Sequence, residues 1–163
     1  MRTRALPRAV RRTLAACAAA TTVAAMLAAC GNPSSESVDS LTVTDPWVKT
    51  AEAGGMTAAF ATLENPTDAD ITVTGASTEA AGAVELHEVV DGAMQPKDGG
   101  FTVPAGGTLA LAPGGLHLML MALPDGITAG QDVTVTLELS QGGTVSFTAP
   151  AKDFDGANED YEG

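Results

Sequence analysis

Two histidines and four methionines follow residue 30, and no cysteine follows that position. Four of these side chains are grouped in or beside two predicted strands: His87, Met94, His117 and Met119. Thioether sulfur is a soft ligand that suits copper(I), whereas structural zinc favours thiolate with imidazole, and calcium and magnesium need several hard oxygens. A blue-copper centre requires a cysteine thiolate. The residue types therefore indicate a site for one copper(I) ion.

The segment 116–121 alternates leucine with histidine and methionine. Because successive side chains of a strand point to opposite faces, His117, Met119 and Met121 share one face and the three leucines share the other. A core takes the leucines, which leaves the first set toward a sheet end or a cleft. The alternation around His87 is weaker. If the two strands approach each other, two imidazoles and two thioethers converge.

Taken one at a time, these residue types have commoner structural roles. A lone histidine in a strand is usually exposed or hydrogen-bonded, and methionine usually fills a core. We assign Met56 to the core, and Met121 to packing beside the following turn. Spacing alone leaves the structural and the copper interpretations open.

Short segments rich in Val, Thr and Leu, separated by turn residues, dominate the chain from Leu41 onward. No segment has apolar residues at helical spacing. Strands are predicted at 41–48, 56–63, 71–76, 83–90, 100–103, 108–112, 117–121, 132–139 and 144–148. Nine strands in about 110 residues predict an all-β fold, a Greek-key β-sandwich of cupredoxin-like or immunoglobulin-like form.

The first thirty residues have the composition of an export signal. All five arginines precede residue 13, and an apolar, alanine-rich run follows up to Ala29. The run has about 16 residues, fewer than the roughly 20 that a membrane span needs. It ends in Leu-Ala-Ala before Cys30, a junction that resembles the bacterial lipobox, in which the cysteine is acylated and becomes the N-terminus. We predict a lipoprotein signal peptide at residues 1–29 and lipidation of Cys30.

Composition also predicts the other boundaries. Residues 30–40 comprise the lipidated cysteine and a small, polar tether, 41–149 the copper-binding domain, and 150–163 an acidic, disordered tail. Cleavage leaves three lysines against twenty acidic residues, a net charge of −17. Such a surface repels nucleic acid and anionic lipid. We expect a monomer on the extracytoplasmic face of the cell membrane that contacts the membrane through its lipid anchor only.

Several segments together resemble the PCuAC family of periplasmic copper chaperones, over about residues 41–149. They are DPWV at 45–48, TLENPT at 62–67, ELHE at 85–88, MQP at 94–96, VPAGG at 103–107, PGG at 113–115 and HLMLM at 117–121. The family motif is a histidine, a methionine some ten residues later and, after about twenty more, a His-x-Met. On this chain those positions are His87, Met94, His117 and Met119.

The resemblance implies a cupredoxin-like domain that carries copper(I) and transfers it to a copper-accepting protein, such as the dinuclear copper subunit of cytochrome c oxidase or another copper chaperone. Ligands on an accessible rim suit such an exchange. Leu118, Leu120 and Trp47 are candidates for packing beside the metal, and Trp47 is also a candidate core anchor.

One departure concerns Met94. Only six residues separate it from His87, fewer than the family spacing, so the intervening hairpin is shorter. A tight turn at Asp91 and Gly92 still allows the sulfur to reach the site. The alternative is a three-coordinate site without Met94.

Other functions compete with copper transfer. A non-metal binding or adhesion module of the cell envelope has the same fold class and predicts that His87 and His117 lie far apart. Copper sequestration uses the same site and differs only in the partner. An enzyme needs a nucleophile with its base or a carboxylate pair; Glu85 and Glu88 flank His87 on alternate faces, so we predict no enzyme activity.

Overall fold

The computed structural model describes residues 41–155, which form strands joined by turns. None of these residues lies in a helix, so none belongs to a helix that crosses a membrane. The ten strands are β1 (Thr42–Lys49), β2 (Thr57–Glu64), β3 (Ile71–Ser77), β4 (Ala83–Val90), β5 (Ala93–Pro96), β6 (Phe101–Val103), β7 (Thr108–Leu111), β8 (His117–Met121), β9 (Asp132–Leu139) and β10 (Thr144–Lys152). The predicted signal peptide, Cys30 and the tether lie outside the described residues, as does the tail from residue 156.

The strands run in the order β5-β4-β8-β2-β1-β10-β9-β3-β6, and β7 pairs with the second half of β2. Two sheets are joined where β1 lies parallel to β10; all other pairs are antiparallel. Neighbours such as β8 and β2 are distant in sequence, as Greek-key connections require. The core draws on both sheets, with Leu63 and Leu118 from one and Val73 and Val135 from the other, each fully buried. The predicted all-β sandwich is confirmed.

Three strands, β4, β8 and β9, have the predicted bounds, and most others differ by one residue. Strand β5 was not predicted, because Ala-Met-Gln-Pro contains no β-branched or aromatic residue. It forms because Asp91 and Gly92, with φ of 54° and 82°, make the two-residue turn that sends the chain back along β4.

The folded part extends beyond the predicted end at residue 149. Strand β10 continues to Lys152, where its last residues pair with the end of β1, and Ala151 is buried. Composition did not reveal this extension, because Ala-Lys has no strand signal of its own. Beyond the strand, Asp153 accepts a hydrogen bond from the hydroxyl of Thr50 at 2.9 Å.

A buried asparagine organises the loop between β2 and β3. The amide nitrogen of Asn65 donates to the carbonyls of Ala69 and Val103, at 2.8 and 3.0 Å. Its amide oxygen accepts from the backbone N–H and the hydroxyl of Thr67, at 3.0 and 2.8 Å. Because Val103 belongs to β6, this one side chain ties the loop to the second sheet.

Replacing Asn65 with alanine should destabilise the fold by about 2–4 kcal/mol, because buried backbone groups lose their partners. Chemical denaturation measures the change. The matched control is Asp68→Asn, at an exposed position of the same loop, which should change stability by less than about 0.5 kcal/mol. Equal stability of the two variants would contradict the organising role of Asn65.

Candidate metal centre

The pairing of β4 with β8 brings the two histidines together. His87 is the direct cross-strand partner of His117. Their ring centroids are 5.6 Å apart, with the ring planes at 60°. Two imidazoles that bind one ion through nitrogen at about 2 Å have centroids roughly 5 to 6 Å apart. The predicted approach of the two strands is confirmed, and the distant histidines expected of a non-metal envelope module are not found.

The two methionines flank this pair on the same face of the sheet. Met119 is the cross-strand partner of Glu85, lies two residues from His117 on β8, and is 3% exposed. Met94, on β5, is the cross-strand partner of Val89 on β4 and is partly buried. Each methionine is therefore a diagonal neighbour of His87, at a typical separation of about 7–8 Å between Cα atoms that a long side chain can span.

Strand β8 is buried on both faces, so the prediction that the candidate ligands lie on an accessible rim is wrong for its residues. Leu118 and Leu120 face the core, away from the histidines, so they do not pack beside the candidate ligands. His117 is only 1% exposed, and Met119 is buried as well. The alternation predicted correctly which residues share a face, but it did not predict that the second face is covered.

Aromatic side chains pack on this second face. Phe60 is buried, and its ring centroid lies 6.3 Å from that of His117. The ring centroid of Trp47 lies 4.5 Å from that of Phe60, with the rings tilted, and 5.2 Å from that of Phe154, in an edge-to-face arrangement. Trp47 thus belongs to this aromatic cluster (Trp47, Phe60 and Phe154) rather than anchoring the main core. Burial of one phenylalanine contributes about 1.5–3 kcal/mol, so Phe60 stabilises the sheet in addition to covering His117.

A β-bulge turns Trp47 onto this face. The register of β1 against β2 shifts between Thr44 and Trp47, which makes Trp47 the partner of Phe60. Asp45 has a φ of 49°, a left-handed backbone conformation that residues other than glycine seldom adopt. Bulges re-aim side chains in this way beside functional sites.

The orientation of His117 follows from one hydrogen bond. Its Nδ1 lies 3.0 Å from the carbonyl oxygen of Gly115. A carbonyl oxygen only accepts, so Nδ1 carries the proton and the lone pair of the neutral ring is on Nε2. Metal-binding histidines commonly hold their second nitrogen in this way.

His87 is hydrogen-bonded through its other ring nitrogen, Nε2 rather than Nδ1. Its Nε2 lies 3.0 Å from Oε2 of Glu85, two residues earlier on the same face. Its Nδ1 is buried and has no hydrogen-bond partner among the described residues. Burial of an unsatisfied polar atom costs free energy, which a ligand at that atom would offset. Glu85 is two residues from His87, so the strand pattern places both on one face, but the pattern alone does not indicate a contact between their side chains.

Among residues 41–155, no group of three or more His, Cys, Asp and Glu side chains converges as a metal-binding cluster. The histidines and methionines on the second face of the sheet supply imidazole nitrogen and thioether sulfur, and the carboxylate of Glu85 on that face is hydrogen-bonded to His87. Imidazole nitrogen and thioether sulfur are the ligands that suit copper(I).

Known proteins share both sequence and fold with this chain. The model of the LpqE-like family matches residues 41–151. A protein of Leifsonia xyli subsp. xyli whose name describes it as a lipoprotein, Lxx21020, is 48% identical over 129 residues, 77% of each chain.

Among solved structures, the copper(I) form of DR1885 from Deinococcus radiodurans is 31% identical, with a TM-score of 0.56 over 72% of this chain and 83% of its own. The copper-bound PCuAC domain of PmoF2 has a TM-score of 0.60 at 19% identity, over 70% of this chain and 93% of its own. The second likeness is one of fold, and it agrees with the predicted sandwich.

Trp47 is the single tryptophan of the chain and reports on the aromatic cluster. Replacing Phe154 with alanine should shift its fluorescence to longer wavelength and increase quenching by acrylamide, because one side of the indole becomes exposed. Loss of the ring pair should also cost about 0.5–1.5 kcal/mol beyond the lost burial. Asp155→Ala, at the exposed neighbouring position, is the control and should leave the emission unchanged. An unshifted spectrum in the Phe154 variant would show that the cluster does not form.

Proposed function

The chain belongs to the LpqE-like family, and from this premise we propose that it is a lipid-anchored extracytoplasmic protein that carries one copper(I) ion and transfers it to another protein. The observation that carries the proposal is the direct pairing of His87 with His117 on a face of the sheet that also carries the buried Met119 and is covered at His117 by Phe60.

The donor set supports copper(I) over other metals. Two neutral imidazoles and a thioether are soft or borderline ligands without negative charge, and they suit a monovalent ion on an apolar face. In a neutral ring, the hydrogen bond of His117 to the carbonyl of Gly115 places its lone pair on Nε2, and Nδ1 of His87 has no hydrogen-bond partner in the described part of the chain. DR1885, at 31% identity, is itself described as a copper(I)-bound protein.

Met94 is the fourth ligand in this proposal. It reaches the ion diagonally from β5, whereas Met119 approaches along β8 beside His117. Strand β5 is at the edge of the sheet, and Met94 is less buried than Met119. An incoming thiolate or thioether of a partner would therefore replace Met94 first and leave a three-coordinate ion on His87, His117 and Met119.

The recipient in this proposal is a copper-accepting protein, such as the dinuclear copper subunit of cytochrome c oxidase or another copper chaperone. Burial of His117 and Met119 also favours a second candidate, copper sequestration, because buried ligands exchange slowly. Stopped-flow transfer to a soluble copper-subunit domain distinguishes the two: direct transfer accelerates with acceptor concentration, whereas sequestration gives a rate limited by dissociation.

Anaerobic titration with copper(I) against a chromophoric chelator should show one equivalent bound tightly. The double variant His87→Ala, His117→Ala should lose this binding. Met119→Leu keeps the volume and removes the sulfur, and we expect it to weaken binding by at least about tenfold, equivalent to about 1.4 kcal/mol. Met94→Leu should have a smaller effect.

Two methionines outside the proposed ligand set are the matched controls. Met56→Leu and Met121→Leu should retain the wild-type affinity, so that a loss in Met119→Leu reports a ligand rather than a general effect of replacing methionine. Absence of any competition by the wild type would contradict the copper function and leave a non-metal envelope module as the better account.

The two cysteines test the proposed anchor. Wild-type protein should partition into detergent and incorporate labelled fatty acid, whereas Cys30→Ser should do neither, because acyl chains supply the membrane affinity. Cys17→Ser alters the other cysteine, within the predicted signal peptide, and should retain the label. Label in the Cys30 variant would place the acylation elsewhere.

A further inference from the structure

Glu85 contacts the candidate centre and is outside the proposed ligand set. Its carboxylate lies 3.0 Å from Nε2 of His87, and its cross-strand partner is Met119. The side chain of Glu85 is 46% exposed, whereas that of His87 is 11% exposed. The carboxylate thus lies at the boundary between the shielded face and the solvent.

This contact determines where the proton of His87 resides. An ionised carboxylate only accepts hydrogen bonds, so a neutral His87 donates from Nε2 and keeps its lone pair on Nδ1. The Nδ1 atom is buried and has no hydrogen-bond partner in the described part of the chain. His117 has the opposite arrangement, because its Nδ1 donates to the carbonyl of Gly115.

We propose that Glu85 is a positioning residue that holds His87 in the Nε2–H tautomer, so that copper(I) is bound by Nδ1 of His87 and by Nε2 of His117. The inference rests on the proposed copper function and adds to it the identity of the two donor atoms. A carboxylate that accepts from a metal-bound histidine fixes the ring and raises the basicity of the nitrogen that binds the metal.

The neighbouring Glu88 supplies a matched comparison. It lies one residue from His87 on the opposite face of β4 and forms an ion pair with Lys97 at 2.9 Å. Glu85 and Glu88 have the same side chain on the same strand, and only Glu85 contacts the ring. Both positions are partly exposed, so a change to glutamine leaves the core intact.

The test is long-range ¹H–¹⁵N NMR of the histidine rings in the full chain in mild detergent, at about pH 8, where an ordinary histidine is neutral. In the copper-free wild type, we expect the proton of His87 on Nε2. Glu85→Gln keeps the size but adds a donor, so both tautomers should become populated. Glu88→Gln should give the wild-type spectrum. A proton on Nδ1 of His87 in the wild type, or an unchanged tautomer in Glu85→Gln, would overturn the proposal.

Loading with copper(I) then identifies the donor atom. The ¹⁵N resonance of Nδ1 should shift in His87, and that of Nε2 in His117; a shift of Nε2 in His87 would overturn the assignment. Affinity should fall about 10- to 100-fold in Glu85→Gln and remain unchanged in Glu88→Gln. Tight wild-type binding with equal affinity in both variants overturns the role of Glu85 alone. No copper binding by the wild type overturns the proposed function, whereas the copper-free spectra still report the tautomer.

Discussion

The register of β4 against β8 is the constraint on which the candidate site depends. Because the side-chain period of a strand is two, a slip of one residue would turn every side chain of the strand to the opposite face. The register is held by the core, where Leu86 pairs with Leu118 and Val84 with Leu120. Burial of these leucines on one face is therefore what keeps His87 opposite His117 on the other.

The second face owes its character to residues that are distant in sequence. Phe60 from β2 packs beside His117, Trp47 from β1 packs against Phe60, and the bulge at Asp45 gives Trp47 its direction. Exclusion of water from imidazole and thioether donors favours a soft ion that is weakly hydrated over harder cations that keep their water. The two faces of one sheet thus differ in role: leucines on one face pack into the core, and aromatic residues on the other determine the environment of the candidate ligands.

The alternation of apolar and polar residues predicted the strands and the faces on which their side chains lie, but not the contacts between strands that are distant in sequence. The alternation in 132–139 and 117–121 was strong enough for both strands to be predicted with their observed bounds. It also predicted the face that His117 shares with Met119. Burial of that face could not be predicted, because the aromatic residue that packs against His117 is Phe60 of β2, which is distant in sequence and is itself covered by Trp47. Strand β5 has no propensity of its own and exists because a two-residue turn precedes it.

The short hairpin that separates His87 from Met94 keeps these two residues on one face of the sheet. In a hairpin with a two-residue turn, a residue of the first strand and a residue of the second strand share a face when their separation in sequence is odd. His87 and Met94 are seven positions apart. Met94 therefore faces the histidines in spite of the shortening, at the level of Val89, whereas Met119 lies at the level of Glu85. The two thioethers approach His87 from opposite directions along β4. An ion between the imidazoles would have the buried Met119 on the side of β8 and the partly buried Met94 at the sheet edge, and under the proposed function this asymmetry would give exchange one direction.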